Sequence, residues 1–108
     1  MWCKNPEVAL YNDLPEATAK YWTERLKHHP ARGWHSAGTH EPWKHVPSTY
    51  LLCENDATLS LEDQKFFSGK LPGCEMEICS AGHCPFLSQP EKVVAVILKA
   101  AGKQSEVV

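Results

Sequence analysis

Pro47-Ser48-Thr49-Tyr50-Leu51-Leu52-Cys53-Glu54-Asn55-Asp56 is the stretch on which the reading of the fold turns. From Ser48 to Cys53 it runs without polar alternation, then stops at the polar triplet Glu54-Asn55-Asp56. A strand with one solvated face alternates. A continuous run predicts burial on both faces, the habit of parallel sheets. Downstream, Ser60-Leu61-Glu62-Asp63 has the pattern of a capping box and predicts a helix through Phe66 and Phe67 to about Lys70. After the turn Leu71-Pro72-Gly73, Cys74-Glu75-Met76-Glu77-Ile78-Cys79 alternates as a strand does and ends at Ser80-Ala81-Gly82-His83. Ser88-Gln89-Pro90-Glu91 reads as a second capping box, opening a helix rich in Val93, Val94, Ile97 and Leu98 that ends near Gly102. Lys99 and Lys103 are placed to favour the negative end of its dipole. Strand, helix, strand, helix is the building block of open α/β sheets, so the fold class is α/β with two parallel strands.

Working toward the N-terminus, Pro47 bounds a stretch over 30–47 broken by Pro30, Gly33, Gly38 and Pro42, which reads as a loop or broken helices. Before it, Asp13 or Leu14 is expected to cap a helix beginning at Pro15 and Glu16. Leu14, Ala17, Tyr21, Trp22 and Leu26 fall at helical spacing, with Glu16, Lys20, Glu24 and Lys27 opposite. That helix is expected to stop around His28-His29-Pro30, and residues 1–12 read as irregular.

Composition narrows the function classes. A chain of 108 residues with 43% apolar and 22% charged residues allows one small globular domain. The net charge of −2 and the scatter of the 11 Lys and Arg give no phosphate-tracking patch, so nucleic acid is not an expected partner. No apolar run approaches the roughly 18–20 residues that span a bilayer. The start Met1-Trp2-Cys3-Lys4-Asn5-Pro6 has no apolar core of a secretory signal. The five cysteines, at 3, 53, 74, 79 and 84, form no C-x-x-C pair and read as reduced thiols in a cytoplasmic type of protein.

Functional residues in open α/β sheets gather just beyond the carboxyl ends of strands. Asp56 follows the first strand and His83 the second. If the strands are neighbours, both loops lie on one edge, where a carboxylate can orient an imidazole and leave its other nitrogen as a base. Read residue by residue, Asp56 is equally a strand-end turn residue and His83 an ordinary loop histidine.

Context adds a resemblance. The Pro47–Asp56 segment resembles the acid-bearing strand of α/β-hydrolases, in particular the esterase and hydroxynitrile-lyase-like branch. Gly82-His83-Cys84-Pro85-Phe86-Leu87-Ser88-Gln89-Pro90-Glu91 is similar to that branch's histidine loop and final helix, and Leu10–Leu26 to a helix of its lid. The resemblance implies Asp56 as triad acid and His83 as general base, in the family's chain order. It implies a lid (cap) segment at 1–46, the C-terminal part of a hydrolase core at 47–103 and a tail at 104–108. No cofactor is expected. The partner it implies is a small ester-like substrate.

The departure is the nucleophile. No G-x-S-x-G elbow occurs, and the serines at 36, 48, 60, 68, 80, 88 and 105 all lack the flanking glycines. Two parallel strands do not make a stable isolated sheet, and open edges invite self-association. The expectation is therefore a C-terminal fragment of a serine hydrolase, inactive alone. A non-catalytic binding or dimerising module, and part of a lyase on the same fold, are the alternatives.

Other clusters carry less. His35, His40 and His45 recur at intervals that do not align on a helix face, and Cys79, His83 and Cys84 lack zinc-site spacing, so no metal is expected. Cys84 beside His83 is a nucleophile by composition only. Trp22, Trp34, Trp43 and Phe86 either line an apolar substrate pocket or pack lid against core.

Overall fold

In the computed structural model, which describes residues 2–102, Thr49–Cys53 forms β1 and Glu75–Cys79 forms β2. The two strands are parallel, in register from Thr49 opposite Glu75 to Cys53 opposite Cys79. Pairing runs on beyond their ends, where the Glu54 amide donates to Cys79 O at 3.0 Å and the Asn55 amide to Ala81 O at 3.1 Å. This extension puts both strand-end loops on one edge of the sheet.

Burial on both faces of β1 is realised only at its carboxyl end. Leu52 and Cys53 point to opposite faces and both are buried, whereas Tyr50 and Leu51 are half-buried and Thr49 is exposed. The tight cluster of Cys53, Cys79 and Ala81, with Leu51 against it, is small. Met76 and Ile78 on β2 stay exposed.

Between the strands runs α3 (Leu61–Ser68), started as expected by Ser60, whose hydroxyl accepts the Asp63 amide at 3.1 Å. Its buried residues are polar, Gln64 and Ser68, one turn apart on the inner face. Phe66 and Phe67 point outward and meet each other edge to face.

The second capping box does not form. Pro85–Ser88 makes a helical turn of its own, α4, and the final helix, α5 (Pro90–Ala100), starts from Gln89 with no side-chain cap. Ser88 is used up in the preceding turn, and its buried hydroxyl has no hydrogen-bond partner. Pro90, with its fixed φ, begins α5 instead. Gly102, at φ +79°, follows the helix in the left-handed conformation that ends helices. Lys99 reaches across to Glu77 on β2 at 2.8 Å. Lys103 and the tail at 104–108 lie outside the described residues.

The N-terminal part departs further from expectation. Pro6–Ala9, read as irregular, forms a helical turn, α1, entered from Asn5 in the left-handed conformation. Helix α2 (Glu16–Thr23) is shorter than its apolar spacing suggests. Beyond Thr23 the chain tightens into three-residue turns, with the amides of Arg25 and Leu26 bonding to Trp22 O and Thr23 O. Neither Asp13 nor Leu14 caps it; Pro15 holds the cap position without a side-chain bond. Two short 3₁₀ turns, Ala31–His35 and Pro42–Lys44, occupy the Pro/Gly-rich stretch. Among the described residues no helix is long and apolar enough to cross a membrane.

Candidate active site

Asp56 begins an Asx turn just past β1. Its Oδ1 accepts the amides of Thr58 at 2.8 Å and Leu59 at 3.0 Å. Held this way, the carboxylate faces His83, whose Nδ1 lies 3.0 Å from Oδ2 and 3.2 Å from Oδ1. The two residues singled out in the sequence are thus brought into contact.

Charge and tautomer follow from the geometry. Burial opposes ionisation of Asp56, but the Leu59 amide, His83 and the Thr58 amide outweigh it and hold the carboxyl below its ordinary range. An ionised carboxylate only accepts, so Nδ1 of His83 is the donor, and in the neutral form of the ring the lone pair lies on Nε2. The Asp56 side chain is 7% exposed and that of His83 38%. A shielded acid behind an accessible imidazole is the arrangement an oriented general base requires.

The acid loop has a brace that sequence reasoning missed. Gln64, on the inner face of α3, accepts the Cys53 amide at 2.8 Å through Oε1. Its Nε2 donates to Cys53 O and Leu59 O, both at 2.9 Å. One buried side chain therefore ties together the two ends of the 53–59 loop that carries Asp56. The only signal in the sequence is a glutamine where an inward-facing apolar residue belongs. The histidine loop is held by Asn55 Nδ2, which donates to Ser80 O at 2.6 Å, and by Gln89, which bonds Ser80 Oγ at 3.0 Å.

A cleft of about 280 Å³ opens beside the pair, lined by Tyr50, Leu51, Leu59, Gln64 and Pro85 among others. None of Trp22, Trp34, Trp43 or Phe86 lines it. Trp34 is 73% exposed and Phe86 58%, and Trp43 lines a separate cleft with Gly38, His40 and His45.

The remaining reactive groups are quiet. Burial pushes the Cys84 thiol up, with Asp13 and Asp56 adding to the effect, so it is a poor nucleophile. Cys53 and Cys79 are buried with their sulfurs 3.9 Å apart. His40 and His45 stack at 6.4 Å, and no group of three or more metal-ligating side chains gathers among the described residues.

Sequence comparison agrees with this architecture. The profile of the Alpha/beta hydrolase family matches residues 2–96. A protein named Alpha/beta hydrolase nvfD, from Aspergillus novofumigatus, is 33% identical over 99 residues, covering 91% of this chain and 40% of that protein. A protein of Phoma sp. named as a probable hydrolase is also 33% identical over 99 residues, covering 87% of this chain and 41% of that protein. The chain thus spans about two-fifths of the length of these curated relatives. No solved structure matches it. A parallel strand pair with acid and histidine at adjacent carboxyl ends, and a profile match over nearly the whole sequence, lead to one assignment: the chain belongs to the α/β-hydrolase family.

Proposed function

We propose that this chain is the C-terminal portion of a serine hydrolase of the carboxylic-ester class, in the esterase and hydroxynitrile-lyase-like branch. Asp56 is its triad acid and His83 its general base. The observation that carries the reading is the 3.0 Å contact of His83 Nδ1 with Asp56 Oδ2 at the adjacent carboxyl ends of two parallel strands. Chain order supports it, since acid precedes histidine. The serine and the oxyanion-hole amides come from the rest of the protein, because no serine here stands in a G-x-S-x-G elbow. Residues 1–46 act as cap over the site, and 47–103 complete the core. The five free thiols favour a reducing, cytoplasmic setting.

In the acylation step His83 Nε2 takes the serine proton as Oγ attacks the ester carbonyl. The resulting imidazolium is stabilised by Asp56, which stays ionised, and its proton passes to the departing alcohol. In the second half His83 deprotonates water, which attacks the acyl-serine and releases the acid.

The test uses the complete reading frame that contains this chain. Fluorophosphonate labelling is expected on a serine outside these residues, together with hydrolysis of a short p-nitrophenyl ester. Asp56→Asn and His83→Ala are expected to lower kcat by about three to four orders of magnitude. A labelled protein that cleaves a cyanohydrin but no ester would assign the lyase alternative. Absence of any labelled serine would overturn the hydrolytic reading and leave a binding or dimerising module.

A further inference from the structure

The loops bearing the pair are both tied to a segment that the hydrolytic steps leave unused. We propose that Asn12 and Asp13 form a positioning clasp that sets His83 against Asp56, a role that rests on the triad reading above. Asn12 Nδ2 donates to Asn55 O at 2.7 Å, and Asn55 immediately precedes Asp56. Asp13 Oδ2 accepts the Gly82 amide at 2.7 Å, and Gly82 immediately precedes His83. Two adjacent side chains thus each grip the residue before one member of the pair. A third tie lies alongside, where Thr58 Oγ1 donates to Ala9 O at 2.6 Å while its own amide holds Asp56.

Local structure does not account for these residues. Asp13 makes no helix cap, although α2 begins just beyond it. It reaches 69 positions along the chain to a backbone amide instead. Its second oxygen, Oδ1, is buried with no hydrogen-bond partner, an arrangement that packing alone does not favour. Gly82 shows how tightly the clasp closes. A Cβ there would collide with Asn12 Oδ1 and lie 3.0 Å from Asp13 Oδ1. Gly82 is not among the positive-φ glycines, so what a side chain there would displace is the clasp itself, Asn12 and Asp13 having to shift to make room.

Charge strengthens the grip, since an amide donating to a carboxylate makes a shorter, stronger bond than one donating to a neutral acceptor. Fixing the amide before His83 fixes the origin of its side chain, and with it the Nδ1 contact. A displacement of about 1 Å at a general base can lower a rate by about a hundredfold. The clasp therefore acts on turnover and leaves substrate binding alone.

The experiment uses the complete protein, with kcat expressed per fluorophosphonate-titrated site so that unfolded molecules do not count. Asp13→Ala is expected to lower kcat at least about tenfold, with KM within about twofold. Asp13→Asn, which keeps an acceptor for the Gly82 amide, is expected to recover most of it. The proton on His83 Nδ1 supplies a readout independent of activity: its downfield NMR resonance is expected in wild type and broadened in Asp13→Ala. Should Asp13→Ala fold too poorly to titrate, Asn12→Ala carries the same test from the exposed side of the clasp. Reduced thermal stability with unchanged kcat per site and an unchanged resonance would overturn the proposal. If wild type hydrolyses nothing, the triad reading fails separately. The clasp then stands or falls on whether the resonance is lost or retained in Asp13→Ala.

Discussion

Replacing Gln64 tests how far one buried amide holds the acid loop. Its side chain makes three hydrogen bonds, to the amide and carbonyl of buried Cys53 and to the carbonyl of half-buried Leu59. Gln64→Leu keeps the bulk and removes all three. Each backbone group left unpaired in such a setting costs about 1 kcal/mol or more, so the expected loss is about 3 kcal/mol. Gln64→Glu adds a sign that packing does not predict. The introduced carboxylate faces two carbonyl oxygens where the amide NH₂ had donated, which raises its folded pKa above the unfolded value of about 4.3. The unfolded state then binds fewer protons than the folded one between the two values. The variant's stability therefore falls as pH rises through that window, by about 1.4 kcal/mol for each pH unit the window spans. Urea unfolding of wild type and both variants between pH 5 and 8 measures this directly. A Gln64→Leu protein within about 0.5 kcal/mol of wild type, or a Gln64→Glu deficit that is flat with pH, would refute the brace.

Two further outcomes follow from the carboxyl and thiol groups. Because the Asp56 carboxyl is held below its ordinary range, its ionised form stabilises the fold at pH values above the usual carboxylate pKa. That contribution is lost as pH falls through the depressed folded value. The stability gap between wild type and Asp56→Asn should thus be full near neutrality and shrink below about pH 4, and an undiminished gap in acid would count against it. Burial, then the neighbouring Cys79, pushes the Cys53 thiol up to about 12. At pH 8 an aromatic disulfide reagent is expected to modify exposed Cys3 first and to reach Cys53 and Cys79 only on unfolding. Labelling of Cys53 in the folded protein as fast as Cys3 would contradict the burial argument.

What could be read from the sequence was whatever local rules determine. The apolar run ending at Cys53, the alternating run ending at Cys79 and the Ser60 cap each state their conformation within a few residues, and each is found in the structure. The Ser88 cap failed because two overlapping signals compete there, and the fixed φ of Pro90 starts the helix without it. The length of α2 was overestimated because apolar spacing continues to Leu26 while the backbone has already tightened. Asn12, Asp13 and Gln64 were illegible for a different reason. Their partners lie 43, 69 and 11 positions away, and no periodicity encodes a side chain bonding to a distant backbone group.

Gln64 also bears on how the sheet can grow. Ser48 O and the Glu54 amide bond toward β2, so by the alternation of a parallel ladder Thr49, Leu51 and Cys53 turn their backbone groups to the opposite edge. At Cys53 both groups on that edge are taken by Gln64, which pairs with the amide and the carbonyl as a neighbouring strand would. A strand pairing with this edge would not find the Cys53 amide and carbonyl free, since Gln64 holds both. Thr49, Leu51 and Cys53 line the cleft that also reaches Asp56 and His83. The same amide that braces the acid loop thus also occupies the edge of β1 beside it.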